Sequence, residues 1–377
     1  LIDVNGEKLV IATERIEPVL KDAGVEEYTV IKEFEGKEFD GVKCKHPFLN
    51  RESKVVMGSP DTVDVDLEAG TGEVHTAPGY GKEDYLCGLK NGLEMIVCVD
   101  DKGHQTKEAG PFAGMFYVKS NKEIVKWLDE NDLLFAKKKI NHSYPHCWRC
   151  HTPLIYYSKP SYYLEVTKIK DKIIANNKTV NWYPSYVGEK RFGNWLENLN
   201  DWAISRSRYW GTPLPYWICS CGHTEMIGSR KELVEKAIED IDESIELHRP
   251  FIDEVHLKCP ECGKRMTRCK DVIDCWFDSG AMPFAQYHYP FENNDLFETQ
   301  FPADFICEGI DQTRGWFYTL LVISTFVKGV SPFKNVLVND LLLDAHGKKM
   351  SKTMGNIVEP FSTMKEYGAD TVRFYLP

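Results

Sequence analysis

The spacing of hydrophobic and polar positions divides the chain into parts of different character. Up to about residue 115, short alternating runs recur among many Gly and Val residues, as at 73–76 and 95–99. Alternation with a period of two is typical of half-buried strands, so this stretch is predicted to be β-rich. A helix is predicted over 121–130, where one face carries apolar residues at helical spacing: Ile124, Val125, Trp127 and Leu128.

The last third of the chain alternates between two patterns. Segments 304–308 and 335–343 are apolar enough for buried strands, and 312–326 between them has the pattern of a helix. Strand, helix and strand with short joins predict an α/β fold with a parallel sheet, in which ligands sit at the carboxyl ends of the strands. Two polar motifs, 308–316 and 347–356, follow those ends.

The middle of the chain has fewer periodic elements. Residues 141–205 hold many aromatic side chains, and we interpret them as a connector packed on larger domains. Residues 216–272 form a small predicted insert with two cysteine pairs. Its clearest helix is predicted to begin at Ser229, because Ser229 and Glu232 have the spacing of a capping box.

Composition and charge narrow the function classes. The chain has 377 residues, a net charge of −11 and 42% hydrophobic residues, which suits two or three globular domains. Such a charge disfavours a general polyanion binder but leaves room for RNA on a local basic face, for example at 137–139 or at Arg206 and Arg208. The alternative for these residues is a solvated surface.

The chain shows neither a secretory signal nor an apolar run long enough to span a bilayer, since 316–327 is the longest. A cytosolic protein without a membrane partner is therefore expected. Because the sequence has no initiator Met and both ends lie within patterned sequence, we expect it to be a piece of a longer protein.

Twelve cysteines are many for a cytosolic chain, and several come in close pairs. Two pairs in the insert supply four sulfurs, the closed tetrahedral set of a structural zinc site, with free reduced thiols as the alternative. The predicted ligands are Cys219, Cys221, Cys259 and Cys262. Cys147 and Cys150 make a further pair without a visible partner pair, so metal binding there stays open.

The two motifs at the strand ends carry polar chemistry. In 308–316, Gly309 allows close approach of a ligand to the backbone, while Glu308, Asp311 and Gln312 offer groups for an ammonium, a ribose or an amide. The alternative is a capped helix with exposed polar residues. In 347–356, two lysines on one loop suit a triphosphate, because cations stabilise charge on a leaving pyrophosphate. A solvated basic loop is the alternative there.

These motifs resemble a known family. The string Lys349-Met350-Ser351-Lys352 after a strand resembles the second signature of class I aminoacyl-tRNA synthetases. Segment 201–215 resembles the stretch that re-enters the catalytic domain in the isoleucine, valine and leucine branches. Segments 274–280 and 308–316 resemble the isoleucine branch, in its archaeal and eukaryotic-type form. The resemblance covers nearly the whole chain.

The resemblance implies a domain layout built on the C-terminal half of a Rossmann-like catalytic domain. That half comprises 206–215 and 273–360, interrupted by a zinc-ribbon-like insert over 216–272. Residues 1–140 are then part of a β-rich inserted editing domain, and 141–205 return the chain to the catalytic domain. Residues 361–377 begin the segment that leads to the anticodon-binding domain.

The resemblance also implies ATP-dependent ligation of isoleucine to tRNA(Ile) through isoleucyl-adenylate, with Mg²⁺ supplied by ATP. Lys349 and Lys352 are the implied catalytic residues, which stabilise the pyrophosphate leaving group. Trp276 and Trp316 wall the isoleucine side chain. The implied ATP and adenylate site consists of Glu308, Gly309, Asp311, Gln312, Lys349, Met350, Ser351 and Lys352. Thr353 stands where the family often has Ser.

A second, hydrolytic site is expected because valine lacks only one methylene of isoleucine. Such a loss is worth about 1–3 kcal/mol, a limit for which the isoleucine enzymes are themselves the usual illustration. Segment 70–84 resembles the core of the editing domain. By resemblance, Asp84 anchors the α-ammonium of mischarged valine, His75 lines the pocket, and water is the nucleophile. The alternative is a Gly-rich turn with a satisfied His and a helix-capping Asp.

The first class I signature, His-x-Gly-His, does not occur in the sequence, nor does the Thr-rich strip of the editing pocket. The longer protein is therefore expected to be an active ligase, while these 377 residues alone make no adenylate. It is expected to be monomeric, or part of a multi-synthetase assembly if eukaryotic. Three alternatives remain: a valine- or leucine-specific synthetase, a synthetase-derived non-catalytic RNA-binding module, and a free-standing editing hydrolase.

Overall fold

The chain forms two compact units, Leu1–Pro160 and Ser161–Pro377. The structure, a computed structural model, describes residues 1–68, 70–139, 141–147, 150–351 and 354–375. Within these ranges, no helix has both the length and the apolar character needed to cross a bilayer.

The first unit combines short antiparallel strands with three α-helices in its described part. Strand β1 lies between β2 and β3, and β4 pairs with β5 in a hairpin. A small core beneath β1 is built from Ile2, Val4, Ile16 and Leu20. The elements are β1 (Ile2–Val4), β2 (Glu7–Leu9), α1 (Ile16–Asp22), β3 (Thr29–Val30), β4 (Lys43–Lys45), β5 (Glu52–Lys54), α2 (Lys82–Asn91) and α3 (Tyr117–Glu130).

The predicted helix of this unit is confirmed as α3, which begins four residues earlier than expected. Its apolar face is half-buried. The ring of Trp127 meets the ring of Phe48 edge-on at 5.6 Å, so the helix packs against the loop after β4. The 3.6-residue spacing found the helix because the exposed residues of 121–130 are all polar.

The strands predicted around Glu73 and Cys98 are wrong, because neither alternating run forms a ladder. Side chains take up main-chain groups that a neighbouring strand would otherwise bind. The Glu73 N–H donates to Thr71 Oγ1 at 3.3 Å, and the Cys98 N–H donates to Tyr80 Oη at 2.7 Å. Local bonds of this kind compete with sheet pairing, so alternation alone overestimates the β content of this unit.

The second unit contains a three-stranded parallel sheet, a four-stranded antiparallel sheet, two antiparallel strand pairs (β6 with β8, β9 with β14) and eight α-helices among its described residues. Its elements are β6 (Tyr163–Leu164), α4 (Lys170–Lys178), β7 (Asn181–Tyr183), α5 (Gly193–Glu197), β8 (Trp202–Ala203), β9 (Ser205–Arg206), β10 (Tyr216–Ile218), β11 (Thr224–Met226), α6 (Arg230–Lys236), β12 (Leu257–Lys258), β13 (Arg265–Arg268), β14 (Val272–Ile273), α7 (Cys275–Ala285), α8 (Asn294–Gln300), β15 (Ile306–Gly309), α9 (Trp316–Val327), β16 (Asn335–Asn339), α10 (Pro360–Tyr367) and α11 (Ala369–Tyr375).

The predicted α/β arrangement is confirmed in the last third of the chain. Strands β15, β16 and β7 form a parallel sheet in that order, and Gly309 lies opposite Asn339. Helix α9 joins β15 to β16 and is apolar on all sides, so residues 317–325 are buried. Helix α7 packs closely on α9 because Gly280 has no side chain: a Cβ there would lie 2.7 Å from the carbonyl oxygen of Thr319.

The prediction of a mere connector over 141–205 is wrong from Ser161 onward. This segment supplies β7, the third strand of the parallel sheet. Trp182 on β7 is buried against the rings of Phe192 and Phe317, at 5.3 and 5.4 Å. The sequence hid the strand because it is three residues long and buries only its central residue.

The insert folds as an antiparallel sheet with the order β11-β10-β13-β12 and has its own core around Trp217, Leu233 and Met266. Helix α6 begins as predicted, since Ser229 Oγ accepts the Glu232 N–H at 3.1 Å. The reciprocal bond is shifted by one residue, because the Glu232 carboxylate accepts the N–H of Gly228.

Candidate active site and cysteine cluster

The two predicted motifs leave the same edge of the parallel sheet. Strand β15 ends at Gly309 and β16 at Asn339, and these residues are register partners on adjacent parallel strands. The carboxyl ends of parallel strands are where open α/β sheets hold their ligands. The fold therefore brings both motifs to the place expected for a site.

The segment after β15 is a 3-10 turn, Ile310–Arg314, that leads into α9. Gln312 organises it: its Oε1 accepts the Trp316 N–H at 2.9 Å, and its Nε2 donates to Asp311 Oδ2 at 3.1 Å. The Asp311 carboxylate folds over Gly309, where an added Cβ would lie 2.7 Å from Oδ1. Glu308 is half-buried at the strand end. The four predicted residues thus lie together at one strand terminus.

The two predicted wall residues of the amino-acid pocket also lie together. A Cβ placed on Gly315 would lie 3.1 Å from Cη2 of Trp276, so the Trp276 ring lies against that backbone. The indole N–H of Trp316 donates to the carbonyl of Ser279 on α7 at 2.9 Å. Trp276 remains 41% exposed, which leaves a large apolar face available to a ligand.

Two acidic residues around the first turn of α7 were not singled out from the sequence. Asp274 caps the helix by accepting the Trp276 N–H at 3.1 Å. Asp278 accepts the Thr212 hydroxyl at 2.9 Å. Burial raises the pKa of the Asp278 carboxyl, and the Asp274 charge raises it further, while the bond from Thr212 opposes both. An acidic N-cap before an apolar segment was the available signal for Asp274.

A cavity of about 180 Å³ opens beside Trp316, but it is not the predicted pocket. Its lining includes Ala303, Phe305 and Phe333, which lie toward the amino end of β15, and it does not include Trp276. We assign the candidate site to the carboxyl end, because the 308–316 motif and both indoles lie together there and β16 ends beside them.

The lysine loop after β16 is held in a defined conformation by two residues that the motif did not reveal. Asp344 accepts the N–H groups of His346 and Lys348, each at 2.9 Å. Asn356 donates to Asp344 Oδ2 at 2.8 Å and accepts the Ser351 N–H at 2.9 Å. The bond from Asn356, with those from the backbone, lowers the pKa of Asp344 below its ordinary value.

Within that loop, Lys349 is exposed, whereas Met350 and Ser351 are half-buried. An isolated antiparallel bridge between Leu343 and Lys349 closes its first turn. Lys352, the second predicted catalytic residue, lies outside the described residues. The Lys349 backbone is therefore fixed by its bridge to Leu343 and by the bond from Asn356 to its carbonyl.

The predicted editing residues lie in the first unit. Asp84 is in the first turn of α2, where its Oδ1 accepts the Ala77 N–H at 2.8 Å and its Oδ2 lies against Gly81. The N-cap of α2 is Gly81, so Asp84 does not cap the helix but ties it to the segment that carries His75. His75 is exposed. The charge of His75 also reaches His46, whose pKa is lowered mainly by burial and further by Arg51 and His75.

The four cysteines of the insert converge at the end of its sheet. Cys219 Sγ lies 3.4 Å from Cys262 Sγ, and Cys221 Sγ lies 3.7 Å from Cys259 Sγ. All four sulfurs lie within 4.8 Å of one another. Thiolates at about 2.3 Å from one tetrahedral zinc ion would be about 3.8 Å apart, so the residues present fit such an ion.

The two cysteine turns are built alike. Cys219 donates its N–H to the His223 carbonyl and Cys259 to the Lys264 carbonyl, both at 2.8 Å. Each turn closes on a glycine, Gly222 or Gly263, with φ of +93° and +72°. Only glycine adopts this conformation without strain. The backbone N–H of Cys221 and the neighbouring thiols lower the pKa of the Cys219 thiol. The Lys264 backbone lowers the pKa of Cys262, but the other three thiols outweigh it and raise that pKa, so the four sulfurs act as one group.

Cys147 and Cys150 form a separate turn, with Trp148 and Arg149 outside the described residues. The Thr152 hydroxyl lies 3.1 Å from Cys150 Sγ and is the main cause that lowers the pKa of this thiol to about 7. Among the described residues, the four cysteines of the insert are the one group with the geometry of a metal site.

Comparison with known proteins agrees with the site. A family model described as "tRNA synthetases class I (I, L, M and V)" matches residues 4–377. The isoleucine–tRNA ligase of Clostridium tetani is 50% identical over 376 residues, which cover 98% of this chain and 35% of that protein. The isoleucine–tRNA ligase of Bacillus thuringiensis is 47% identical over 376 residues, covering 98% of this chain and 36% of that protein.

Among solved structures, a methionyl-tRNA synthetase of Mycobacterium tuberculosis bound by methionyl-adenylate is 19% identical. The match covers 61% of this chain and 35% of the methionyl enzyme. Its TM-score of 0.38 is too low to support a conclusion about the fold.

The chain therefore belongs to the class I tRNA synthetases of the isoleucine, leucine, methionine and valine group. It spans about a third of the length of the curated relatives that it matches.

Proposed function

We propose that the protein containing this chain is an isoleucine–tRNA ligase, which joins isoleucine to tRNA(Ile) at the expense of ATP, which binds as its Mg²⁺ complex. The observation that carries the proposal is that strands β15 and β16, which lead into the two motifs, end side by side at Gly309 and Asn339. The 50% identity to a clostridial isoleucine–tRNA ligase across 98% of the chain supports the choice of amino acid.

The proposed chemistry needs no protein nucleophile. An oxygen of the isoleucine carboxylate attacks the α-phosphorus of ATP, the bond from that phosphorus to its bridging oxygen breaks, and pyrophosphate leaves. Lys349, with Lys352, would neutralise the charge that builds on the pyrophosphate. Glu308, Asp311 and Gln312 would hold the ammonium and ribose of the adenylate, with Gly309 against it and Met350 and Ser351 shaping the loop.

The apolar faces of Trp276 and Trp316 would surround the isoleucine side chain. The amide and indole of Trp316 are both bonded, to Gln312 and Ser279, so this wall is rigid. A rigid apolar wall excludes larger side chains but discriminates poorly against a smaller one.

Amino-acid-dependent exchange of pyrophosphate into ATP by the full-length protein tests the proposal. We expect exchange with isoleucine at a kcat/KM about a hundredfold above that for valine, the range for one methylene. Preference for valine or leucine would reassign the specificity within the family. No exchange with any amino acid would favour the non-catalytic alternative.

We propose that the first unit is part of an editing domain that hydrolyses valyl-tRNA(Ile), with Asp84 binding the α-ammonium and His75 beside it. The bond from the Ala77 N–H to Asp84 Oδ1 supports the proposal, because it ties α2 to the segment that carries His75. Asp84→Asn keeps an oxygen for the Ala77 N–H but removes the charge. We expect it to abolish deacylation of valyl-tRNA(Ile) by the full-length protein, while Glu83→Gln, in the same helical turn, does not. Unchanged deacylation in Asp84→Asn would mean that Asp84 has only a structural role, that of binding the Ala77 N–H.

We propose that the insert holds one structural Zn²⁺ through Cys219, Cys221, Cys259 and Cys262, a coordination set that would stabilise the end of the sheet. Metal analysis of the 377-residue chain purified under reducing conditions should give one zinc per chain. Cys262→Ser should lose it, and Cys44→Ser, in the first unit, should keep it. Equal zinc in all three proteins, or none in the unmodified chain, would reject the site.

We further propose the domain layout with one amendment: 161–205 join 206–215 and 273–360 in the second half of a Rossmann-like catalytic domain. Residues 216–272 are then the zinc insert, and 361–377 begin the segment toward the anticodon-binding domain. A cytoplasmic monomer that meets tRNA, ATP and isoleucine follows from the proposed activity. Its position in the archaeal and eukaryotic-type branch stays a prediction.

A further inference from the structure

One buried carboxylate, that of Asp274, has no role in the proposed chemistry although it lies two residues from Trp276. Asp274 is 5% exposed. Its Oδ1 accepts a hydrogen bond from the Trp276 N–H. Its Oδ2 accepts two more, from the indole N–H of Trp202 at 3.2 Å and from Nη2 of Arg206 at 2.5 Å. Donors from three different segments therefore converge on one carboxylate at the start of α7.

The first turn of α7 holds both walls of the proposed pocket. Trp276 lies on it and contacts the backbone of Gly315. Trp316, from α9, is tied to it through the bond from its indole N–H to the Ser279 carbonyl. A small shift of this turn would therefore move both indoles relative to the bound side chain.

Arg206 is the fixed point on the other side of the pair. Its Nη1 donates to the carbonyls of Ala203 and Ser205, at 2.8 and 2.9 Å, while Nη2 reaches Asp274. A planar guanidinium makes these bonds at once, which a lysine ammonium on a flexible stem does not do with the same geometry. The guanidinium therefore fastens α7 to the segment around β9.

We propose that Asp274, paired with Arg206, is a positioning residue for amino-acid selection: it sets the Trp276 and Trp316 walls without contacting the substrate. The inference rests on the proposed isoleucine activation. It predicts that weakening the pair changes the fit of the amino acid and leaves the ATP side of the site as it is, because the lysine loop is held separately by Asp344 and Asn356.

The test uses pyrophosphate exchange by the full-length protein with Asp274→Asn and Arg206→Lys. In Asp274→Asn, the side chain can face the donors of Trp202 and Arg206 in two ways. Its amide N–H groups would face them and form no bond, or its neutral carbonyl oxygen would accept a weaker bond than the carboxylate does. We expect the KM for isoleucine to rise about tenfold in Asp274→Asn and about threefold in Arg206→Lys, with the KM for ATP unchanged within about twofold. The ratio of isoleucine to valine kcat/KM should fall in both variants.

Asp304→Asn is the matched control, because it removes a carboxylate from an exposed ion pair with Lys334 in the same unit. It should behave as wild type. Equal rises in both KM values, or a wild-type KM for isoleucine in a folded Asp274→Asn, would overturn the inference. If Asp274→Asn does not fold, a wild-type KM for isoleucine in Arg206→Lys overturns it. Absence of isoleucine-dependent exchange in the wild-type protein would instead reject the proposed function itself.

Discussion

Gly315 shows how closely the candidate site is packed. Space beside it is limited: a Cβ would lie 2.7 Å from Gln312 Oε1 and 3.1 Å from the Trp276 ring. Both neighbours belong to the proposed adenylate and isoleucine sites, and therefore a single methyl group would disturb each of them.

We expect Gly315→Ala to raise the KM for isoleucine about tenfold in the full-length protein, because Trp276 must move outward. Overpacking should also lower the free energy of unfolding by about 1–2 kcal/mol, measured by urea denaturation of the 377-residue chain. Gly228→Ala is the control, since its Cβ would meet Glu232 Oε2 at an ordinary 3.5 Å. A wild-type KM in Gly315→Ala would contradict the placement of Trp276 in the pocket.

Asn356 acts on the lysine loop in a different way. Its amide bonds both Asp344 and the backbone of Lys349 and Ser351, so it closes the loop from within. In Asn356→Asp, two carboxylates would face each other at the present 2.8 Å contact, and the loop would open.

The expected result for Asn356→Asp is a fall of about tenfold in kcat for exchange with a raised KM for ATP and an unchanged KM for isoleucine. Steady-state exchange by the full-length protein measures all three values. Asn294→Asp, at the start of α8 where a negative charge is favourable, should leave them unchanged. If Asn356→Asp matched wild type, the loop would not depend on this contact.

For single residues, the sequence was informative where the residues of a site lie close together in the chain. Trp316 and Gln312 lie four residues apart, and the structure bonds them to each other. Asp274 escaped notice because its partner Arg206 lies 68 residues away in the chain. A pairing across such a distance exists only once β9 and β14 have paired, so no local pattern announces it.

Among the elements, the insert depends on a buried ion pair at its base. The side chain of Arg268 on β13 is 1% exposed and donates to Asp253 Oδ1 at 2.5 and 2.8 Å. Its remaining nitrogen donates to the carbonyls of Leu214 and Asp271, where the chain enters and leaves the insert. Arg268 therefore joins the two connecting segments to the insert.

We expect Asp253→Asn to lower the free energy of unfolding by about 3 kcal/mol, because it leaves a buried guanidinium without its counter-charge. Glu165→Gln, which breaks an exposed pair with Lys168, should cost less than about 1 kcal/mol. Chemical denaturation of the 377-residue chain gives both values. Equal costs for the two variants would mean that the pair at the base of the insert is of no special importance.

The difference between wild type and Asp253→Asn should also depend on pH. Burial raises the pKa of Asp253, but Arg268 and Arg249 outweigh it and hold the pKa below the ordinary 3.8. A carboxyl whose pKa is lower in the folded state stabilises the fold above its unfolded value, and this contribution disappears as the pH falls through the folded value. The destabilisation should thus be constant from about pH 5 to 8 and shrink progressively as the pH falls below about 4, through the lowered pKa of Asp253.

Elements were predictable from sequence in proportion to their length and burial. Helix α9 and strands β15 and β16 were found because they are apolar over several consecutive residues. Strand β7 was missed because three residues give no period. The runs around Glu73 and Cys98 were wrongly predicted as strands. Alternation indicates only the directions of side chains, whereas a strand also needs a neighbouring strand to bind its backbone groups.

For the whole molecule, the 377 residues divide into two units whose proposed activities differ, adenylate formation in one and hydrolysis in the other. The chain covers 35% of its clostridial relative. Its own residues supply the lysine loop and the two indoles, but no His-x-Gly-His string occurs among them. The second unit would therefore supply one side of the proposed phosphate site.

This division leads to a prediction for the chain as it stands. Isoleucine-dependent pyrophosphate exchange should be undetectable with the 377 residues and present with the full-length protein under the same conditions. The reason is that Lys349 and Lys352 can stabilise the leaving pyrophosphate only if other groups hold the ATP phosphates in line with the attacking carboxylate, and misplacement alone costs about a hundredfold in rate. Far-ultraviolet circular dichroism and zinc content would show that the chain is folded when assayed. Measurable exchange by the folded chain would mean that its lysine loop and strand ends suffice to bind and orient ATP.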